Sequence, residues 1–582
     1  MIARALVNLV VVLGVALGHS RPAVAQPTEP RPIARPLSLP SALPGPVTLL
    51  EPTAPWRWQL VTAPPIASQL GALAVSGIDA VAGRGPLAPV LGEPVPEPAG
   101  WPYTIEGTAR TLPVPAADQR IAAAFGVTTF ALARHHEGLE VLELRLRYQD
   151  GVAVWLNGVE VVRRALPRDG TTGLAARPHG PEWETFYVPV APGLLRLGVN
   201  VLAVEVHPSG RRTAPTLEAV LRGRRDRGIL RGPVIAELGI TTATIAVETD
   251  PGITATLEWG LGDVLEQRQS TAAGHHHRFE LANLPANADV HYRVLAGAGR
   301  SERYTFHTMP APGAVIRIGV YGDVRGGHAV HRELVGQMLR EGLDVVGVTG
   351  DMVLHGADEA DWQRFFAVTR ELLAQVPYYP AVGNHDLGWD GAHDTRRAEA
   401  VFALPDGPPG RPAGTFWYSR DLADLHLVFL DSNAYVRLEQ EAWLEADLAA
   451  ARARHVRAIL VFTHDGPYSR GHHGGSAIAR DRYVPILLRH RVDLVMSGHD
   501  HLYQRGELGG LRYLVSGGGG ASLYGIRCGV PGRPTCTAED GTVIVAREHH
   551  YIVLTIGRDV EVCTRRPDGT LLEPCVRYPL LR

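Results

Sequence analysis

The chain contains no lysine, and all 57 of its basic residues are arginine. The bias carries no function by itself, but it removes the Lys-Ser/Thr pair of a P-loop from any glycine-rich stretch. Cysteine is scarce as well. The four present fall between Cys528 and Cys575, and none has the spacing of a zinc site. Long apolar runs are missing: the stretch Ala5 to Leu17 falls short of the ~18 residues that a membrane-spanning helix needs, and no later segment qualifies. There is also no strong excess of one charge. The formal charge is -3 and the arginines are scattered, which gives no electrostatic footprint for a nucleic acid or an anionic membrane as partner.

What is present points to an exported protein of several domains. A length of 582 residues exceeds one hydrophobic core and implies roughly three or four domains. With 45% hydrophobic residues the chain reads as globular, and 64 glycines with 45 prolines imply many turns and much β-structure. Arg4, the apolar stretch and Ala23-Val24-Ala25 before Gln26 read as a signal peptide over 1–25, which predicts a secreted or periplasmic mature chain. Proximity in sequence suggests two disulfides, Cys528 with Cys536 and Cys563 with Cys575, among the connectivities that four cysteines allow.

Residues 26–47 are proline-rich and polar, a linker that cannot bury enough apolar surface to fold alone. From 48 to 222 the pattern is short strands: Val141 to Tyr148 alternates, and Val152 to Leu156 runs into the hairpin signal Asn157-Gly158. Arg222 to Arg227 reads as a hinge, and strands at Thr244–Glu248, Thr254–Trp259 and Val290–Val294 then imply a small β-sandwich over 228–309. Within it, His275-His276-His277 reads as a solvent-exposed loop between strands. After Pro312-Gly313 apolar strands alternate with helical stretches at Ala357–Gln375 and Leu438–Arg454, so 314–582 reads as an α/β domain.

In this last part five chemically capable residues share one position. Asp323 follows the apolar run Ala314–Tyr321, Asp351 follows Leu343–Val348, Asn384 follows Tyr378–Val382, His464 follows Ala458–Phe462, and His499 follows Val492–Met496. Each run reads as a buried strand, and the carboxyl ends of such strands are where α/β sheets gather ligand-binding side chains. The glycines of Gly322-Asp323, Gly350-Asp351, Gly383-Asn384 and Gly498-His499 would let the chain turn sharply there.

These motifs, in this order over about 314–556, resemble the calcineurin-like metallophosphoesterases, whose series runs Asp, Gly-Asp, Gly-Asn-His-Asp/Glu, His, then Gly-His-x-His. The resemblance implies a four-layer α-β-β-α domain and two metal ions. By it, Asp351 bridges the ions, Asp323 and His501 bind the first, and Asn384, His464 and His499 bind the second. Nitrogen and oxygen ligands of this mix suit Fe, Zn or Mn. The implied reaction is hydrolysis of phosphate monoesters by a metal-bridging hydroxide, with phosphodiesters as the near rival. The resemblance also makes His385 the group that assists the leaving alkoxide, with Asp386 as the acidic neighbour orienting it. Arg231-Gly232-Pro233, His291-Tyr292-Arg293-Val294 and Tyr304 to Thr308 resemble the fibronectin-like domain of purple acid phosphatases. Gln149 to Gly158 and Gly198 to His207 resemble the galactose-binding-like jelly roll, which leaves a carbohydrate surface, with an inactive phosphoesterase domain, as the rival reading.

Two positions depart from the family pattern. Many members have a histidine two residues after the first aspartate, and purple acid phosphatases have a tyrosine three residues after the bridging one. Here Arg325 and Leu354 stand in those places. The first metal therefore lacks a recognisable fourth ligand, for which His355, His328 and His331 are candidates near in sequence. Arg325 itself is a candidate phosphate clamp or the partner of a structural carboxylate. His472 and His473 lie in a glycine-rich loop read either as solvated or as facing substrate, and Gly517 to Gly520 suits close chain packing better than a phosphate cradle.

Overall fold

The computed structural model describes residues 47–581 apart from 52–53, 62–104, 109–122, 137, 167–181, 209–216, 357–358, 388–397, 400–401, 403, 405–406 and 528–539. The expected signal peptide, the linker up to residue 46 and the Cys528–Cys536 pairing lie outside the described residues. No helix among the described residues is long and apolar enough to cross a membrane.

Two antiparallel sheets form the first part of the chain. One runs in the order Val47–Leu50, Leu217–Arg224, Val141–Tyr148, Glu182–Pro189; the other runs Ile105–Thr108, Pro55–Val61, Ala123–Leu132, Gly198–His207, Gly151–Leu156, Val159–Arg164. Strict alternation makes this packing: Leu142, Leu144, Leu146 and Tyr148 face one core together with Val152, Val154, Leu202 and Val204 of the other sheet. Asn157 and Gly158 both have positive φ, 50° and 87°, as the tight turn of a two-residue hairpin requires.

The second part pairs the sheet Ile229–Leu238, Ala243–Ile253, Gly274–Leu281 with a sheet built on Ala255–Gly260 and Asp289–Ala296. Two expectations fail here. Arg222–Arg224 belong to a strand paired along Val141–Tyr148, so no hinge begins there. Beyond it, Arg224 Nη1 donates to Asp250 Oδ2 at 2.9 Å and the Gly228 N–H donates to the same oxygen at 2.8 Å, tying the two sandwiches at a buried carboxylate. The second failure concerns His275, His276 and His277, which lie in a strand and not in a loop. His277 is buried, its ring nitrogens on Thr249 Oγ1 at 2.9 Å and Thr271 Oγ1 at 2.6 Å. Thr249 from another strand and Thr271 from the preceding turn satisfy this ring, a pairing that local sequence does not reveal.

The third part has two mixed sheets. The first is ordered Tyr378–Pro380, Val345–Val348, Ile316–Tyr321, Tyr551–Ile556, Asp559–Arg565, Val576–Pro579. The second is ordered Tyr418–Leu422, Leu425–Phe429, Ala458–Phe462, Leu494–Ser497, Leu511–Ser516, Tyr503–Leu508, Thr542–Ala546. They face each other across a shared core that contains Val320, Val346 and Val348 from one and Leu460, Phe462 and Met496 from the other. The approach is close: a Cβ on Gly347 would stand 2.3 Å from the Phe462 ring. Helices His328–Met338 and Glu359–Leu373 lie with the first sheet, while Leu438–Ala453 buries Leu444, Leu448 and Ala451 with Ile459 and Val461 of the second. The layers therefore run helix, sheet, sheet, helix. Cys563 and Cys575 are disulfide-bonded, clipping the last two strands of the first sheet together.

Candidate metal centre

The strands Ile316–Tyr321, Val345–Val348, Tyr378–Pro380, Ala458–Phe462 and Leu494–Ser497 deliver their following loops to one place. Asp323, Asp351 and His464 form a buried group whose ligand atoms all lie within 4.8 Å of one another. The way the chain turns there differs from the sequence-based expectation. Among the four glycines only Gly350 has positive φ, and the left-handed turn is taken by Asp323, Asp351 and His499 themselves, at φ 55°, 55° and 67°. Residues other than glycine rarely adopt this conformation, and it is held here by surrounding contacts. Gly383 and Gly498 are glycines for another reason. A Cβ on them would stand 2.0 Å from Asp351 Oδ1 and 2.3 Å from Asp323 Oδ2, so the loops could not close around the carboxylates.

One donor set is already gathered around a point. His464 Nε2 lies 3.1 Å from His499 Nδ1, 3.2 Å from Asn384 Oδ1 and 3.3 Å from Asp351 Oδ1. An ion with bonds of about 2.0–2.1 Å and tetrahedral geometry places its donors about 3.3–3.4 Å apart, close to the separation of His464 Nε2 from each of these three atoms. The His464 ring is oriented by Thr349 O, 2.8 Å from Nδ1, leaving Nε2 for the ion. Burial works to lower the pKa of His464, but the charges of Asp351 and Asp323 raise it overall, the response of a place that draws positive charge. Burial, then the neighbouring His464 and His473, pushes His499 down to about 2, so its ring is neutral and able to ligate.

The other donor set is arranged differently. His501 Nε2 lies 3.4 Å from Asp323 Oδ1, and Ser522 O, 2.7 Å from Nδ1, orients the ring. Asp323 Oδ2 accepts the His499 N–H at 3.0 Å, while its Oδ1 is buried without a hydrogen-bond partner. Arg325 reaches across this set. Its Nε donates to Asp351 Oδ2 at 2.8 Å and its Nη2 lies 3.3 Å from His501 Nε2.

His385 sits half-buried at the rim; its N–H donates to Asp351 Oδ1 at 3.1 Å and its Nδ1 lies 2.9 Å from Leu354 O. Asp386 does not orient it. The Asp386 carboxylate instead accepts the N–H groups of Asp351, Met352 and Gly383 at 2.8 Å each and of Val353 at 3.2 Å, pinning the two ligand loops together. Burial and then the Asp351 charge push this carboxyl up to about 7 in spite of those four donors. The candidate fourth ligands stay away: His355 engages Asp361, and buried His331 lies 3.1 Å from Tyr321 OH, with Nε2 towards it. His328 opens its helix.

One neighbour of the site, Tyr524, was not marked by any sequence pattern. Tyr524 stacks on His501 with ring centroids 3.9 Å apart, and its hydroxyl lies 3.4 Å from Arg325 Nη2. It follows the glycine run Gly517–Gly520, a stretch without periodicity. The run itself packs against the Asp323 loop, with the Gly519 N–H on Gly322 O at 2.9 Å and the Ala521 N–H on Asp323 O at 2.8 Å. His473 stacks on His499 at 3.9 Å, held by Asp500, which accepts its N–H at 2.9 Å.

Residues 316–503 match the family of calcineurin-like phosphoesterases. The chain carries a calcineurin-like metallophosphoesterase domain. Purple acid phosphatase 22 of Arabidopsis thaliana is 26% identical to it over 239 residues, covering 40% of this chain and 54% of that relative. A nucleotide pyrophosphatase/phosphodiesterase of Hordeum vulgare is 24% identical over 277 residues, covering 39% of this chain and 75% of that relative. The chain thus spans about half the length of the purple acid phosphatase it matches. A solved purple acid phosphatase from yellow lupin seeds shares the fold with a TM-score of 0.51 at 16% identity, covering 78% of this chain and 93% of that one. The matched segment begins with the strand Ile316–Tyr321, and all six ligand candidates lie inside it.

Proposed function

We propose that this chain is an exported phosphoesterase that hydrolyses phosphate monoesters at the centre described above. The observation that carries the reading is the convergence of ligand candidates: Asp323, Asp351 and His464 form a buried group, and Asp351, Asn384 and His499 each stand 3.1–3.3 Å from His464 Nε2. A bound ion would supply charge stabilisation for the phosphoryl group and lower the pKa of a water. The protein's own part is to hold and orient. Thr349 and Ser522 fix the two histidine rings, and Asp386 fixes the backbone from which Asp351 and Asn384 project. His385, whose Nδ1–H donates to Leu354 O, would give the Nε2 proton of its imidazolium form to the leaving alkoxide and be left as the neutral Nδ1–H tautomer. Iron, zinc or manganese suits these donors.

The nucleotide pyrophosphatase/phosphodiesterase among the relatives supports phosphodiesters as a second substrate class at the same site. The flanking parts complete the reading: 48–222 as a galactose-binding-like jelly roll, 228–309 as a fibronectin-like support, and 314–582 as the catalytic domain, exported by the signal peptide 1–25. The test is elemental analysis of the purified chain together with turnover of an aryl phosphate monoester and diester by wild type and Asp351→Asn. Metal-bound wild type that turns over the monoester, with the variant inactive, is the expected result. A metal-free and inactive wild type would sink the reading in favour of a carbohydrate-binding surface protein.

A further inference from the structure

The two donor sets share Asp351, yet only one of them is free to close on an ion. In the other, Arg325 already uses two of the three available groups: Asp351 Oδ2, which accepts from Nε at 2.8 Å, and His501 Nε2, 3.3 Å from Nη2. His501 directs Nδ1 to Ser522 O at 2.7 Å, so Nε2 is the ring's ligating atom, and it is the one that the guanidinium faces. A metal ion binds through the same lone pairs, and a guanidinium cannot give up its charge to make room.

Three further features hold this arrangement in place. The backbone at Arg325 is fixed to the bridging loop, with the Val324 and Arg325 N–H groups on Asp351 O at 3.1 and 3.3 Å. The Tyr524 hydroxyl lies 3.4 Å from Nη2, and its ring covers His501, so the guanidinium is clasped from the far side. Leu354, at the position of the tyrosine ligand in purple acid phosphatases, has no donor atom and is 37% exposed. A single divalent ion with the guanidinium already outweighs the charges of Asp323 and Asp351, and the orphaned Asp323 Oδ1 faces positive charge without a second ion.

We propose that Arg325 takes the place of the first metal, so that the centre holds one ion, in the Asp351, Asn384, His464 and His499 set. Its remaining N–H groups then serve a phosphoryl oxygen where the family would use the first metal. This rests on the phosphoesterase reading and specifies its cofactor content and a positioning role for Tyr524.

The experiment uses the full chain saturated with Mn(II), desalted, and examined by elemental analysis and electron paramagnetic resonance. Wild type and Arg325→Lys are expected to retain one ion per chain with the spectrum of an isolated ion. Arg325→His, which restores the residue many family members have, is expected to retain two and to show an exchange-coupled pair. Two ions in wild type would overturn the proposal without any variant being needed. An Arg325→His protein that folds but stays at one ion would overturn the idea that the guanidinium is what excludes the other. A wild type with no ion and no turnover of either ester would overturn the phosphoesterase reading itself, and this proposal with it.

Discussion

The two halves of the centre are built on the same carboxylate from opposite sides, and they differ in what each has to satisfy it. On the Asp351 Oδ1 side stand the His385 N–H and three groups that offer lone pairs to an ion without any fixed cation among them, His464 Nε2, His499 Nδ1 and Asn384 Oδ1. On the Oδ2 side stands Arg325, a cation the chain itself supplies. Ligand residues thus do not make a metal site by identity alone. Asp323 and His501 match the family pattern as well as the others do, but an arginine two residues from Asp323 changes what their lone pairs meet.

The comparison is broken most decisively at the residue that both halves share. Asp351→Asn removes the common charge, and kcat/KM for an aryl phosphate is expected to fall by roughly 10³-fold or more, the several kcal/mol of charge stabilisation that a metal supplies. Bound metal should be lost in parallel, measured on the same sample. His499→Ala comes next. It removes a direct donor from the half without a fixed cation and is expected to weaken metal binding by at least the roughly 10–100-fold that even supporting residues cost, read by competition with a chelator.

A carboxylate satisfied by protein partners alone provides a control. Glu248 receives Arg231 Nε at 2.6 Å and lies 3.1 Å from His275 Nε2. Burial works to raise its pKa, but the His275 hydrogen bond and the Arg231 charge together bring it down from 4.5 to about 2. A lowered carboxylate stabilises the fold above its unfolded pKa and loses that contribution as pH falls through the folded value. The contribution of about 3 kcal/mol should therefore be present above pH ~4.5 and fade towards pH ~2. His275 carries the opposite sign: burial lowers it, the Glu248 bond and charge raise it overall, so its share is present below pH 6.5 and lost at higher pH. Denaturation midpoints of wild type and Glu248→Gln from pH 2 to 8 check this, and coincident curves would contradict it.

The smallest effect sharpens the contrast. With Arg325 in the first place, His501→Ala is expected to lower metal content not at all and kcat/KM by less than about tenfold, against the much larger loss at His499. Equal losses from the two histidines would mean that the halves are equivalent after all. Four glycines next to ligand candidates add a lesson about legibility. Reading them as turn residues was right in location and wrong in cause at Gly383 and Gly498, where the constraint is the carboxylate packed against the missing Cβ.

Sequence by itself determined the strands and the positions at their ends. Continuous apolar runs, such as Ala458–Phe462 before His464, report buried strands because burial on both faces needs a continuous apolar stretch. Hairpin chemistry at Asn157-Gly158 was equally local. Only the tertiary structure decided where polar side chains spend their hydrogen bonds. Arg325 and His501 are 176 residues apart and Arg325 and Tyr524 are 199 apart, so no window along the chain contains their meeting. Asp386 looked like a partner for its neighbour His385, yet four amide groups from folded-back loops claim it. Buried polar atoms bond to whatever the packing brings near, and that is a property of the closed fold, not of the order of residues.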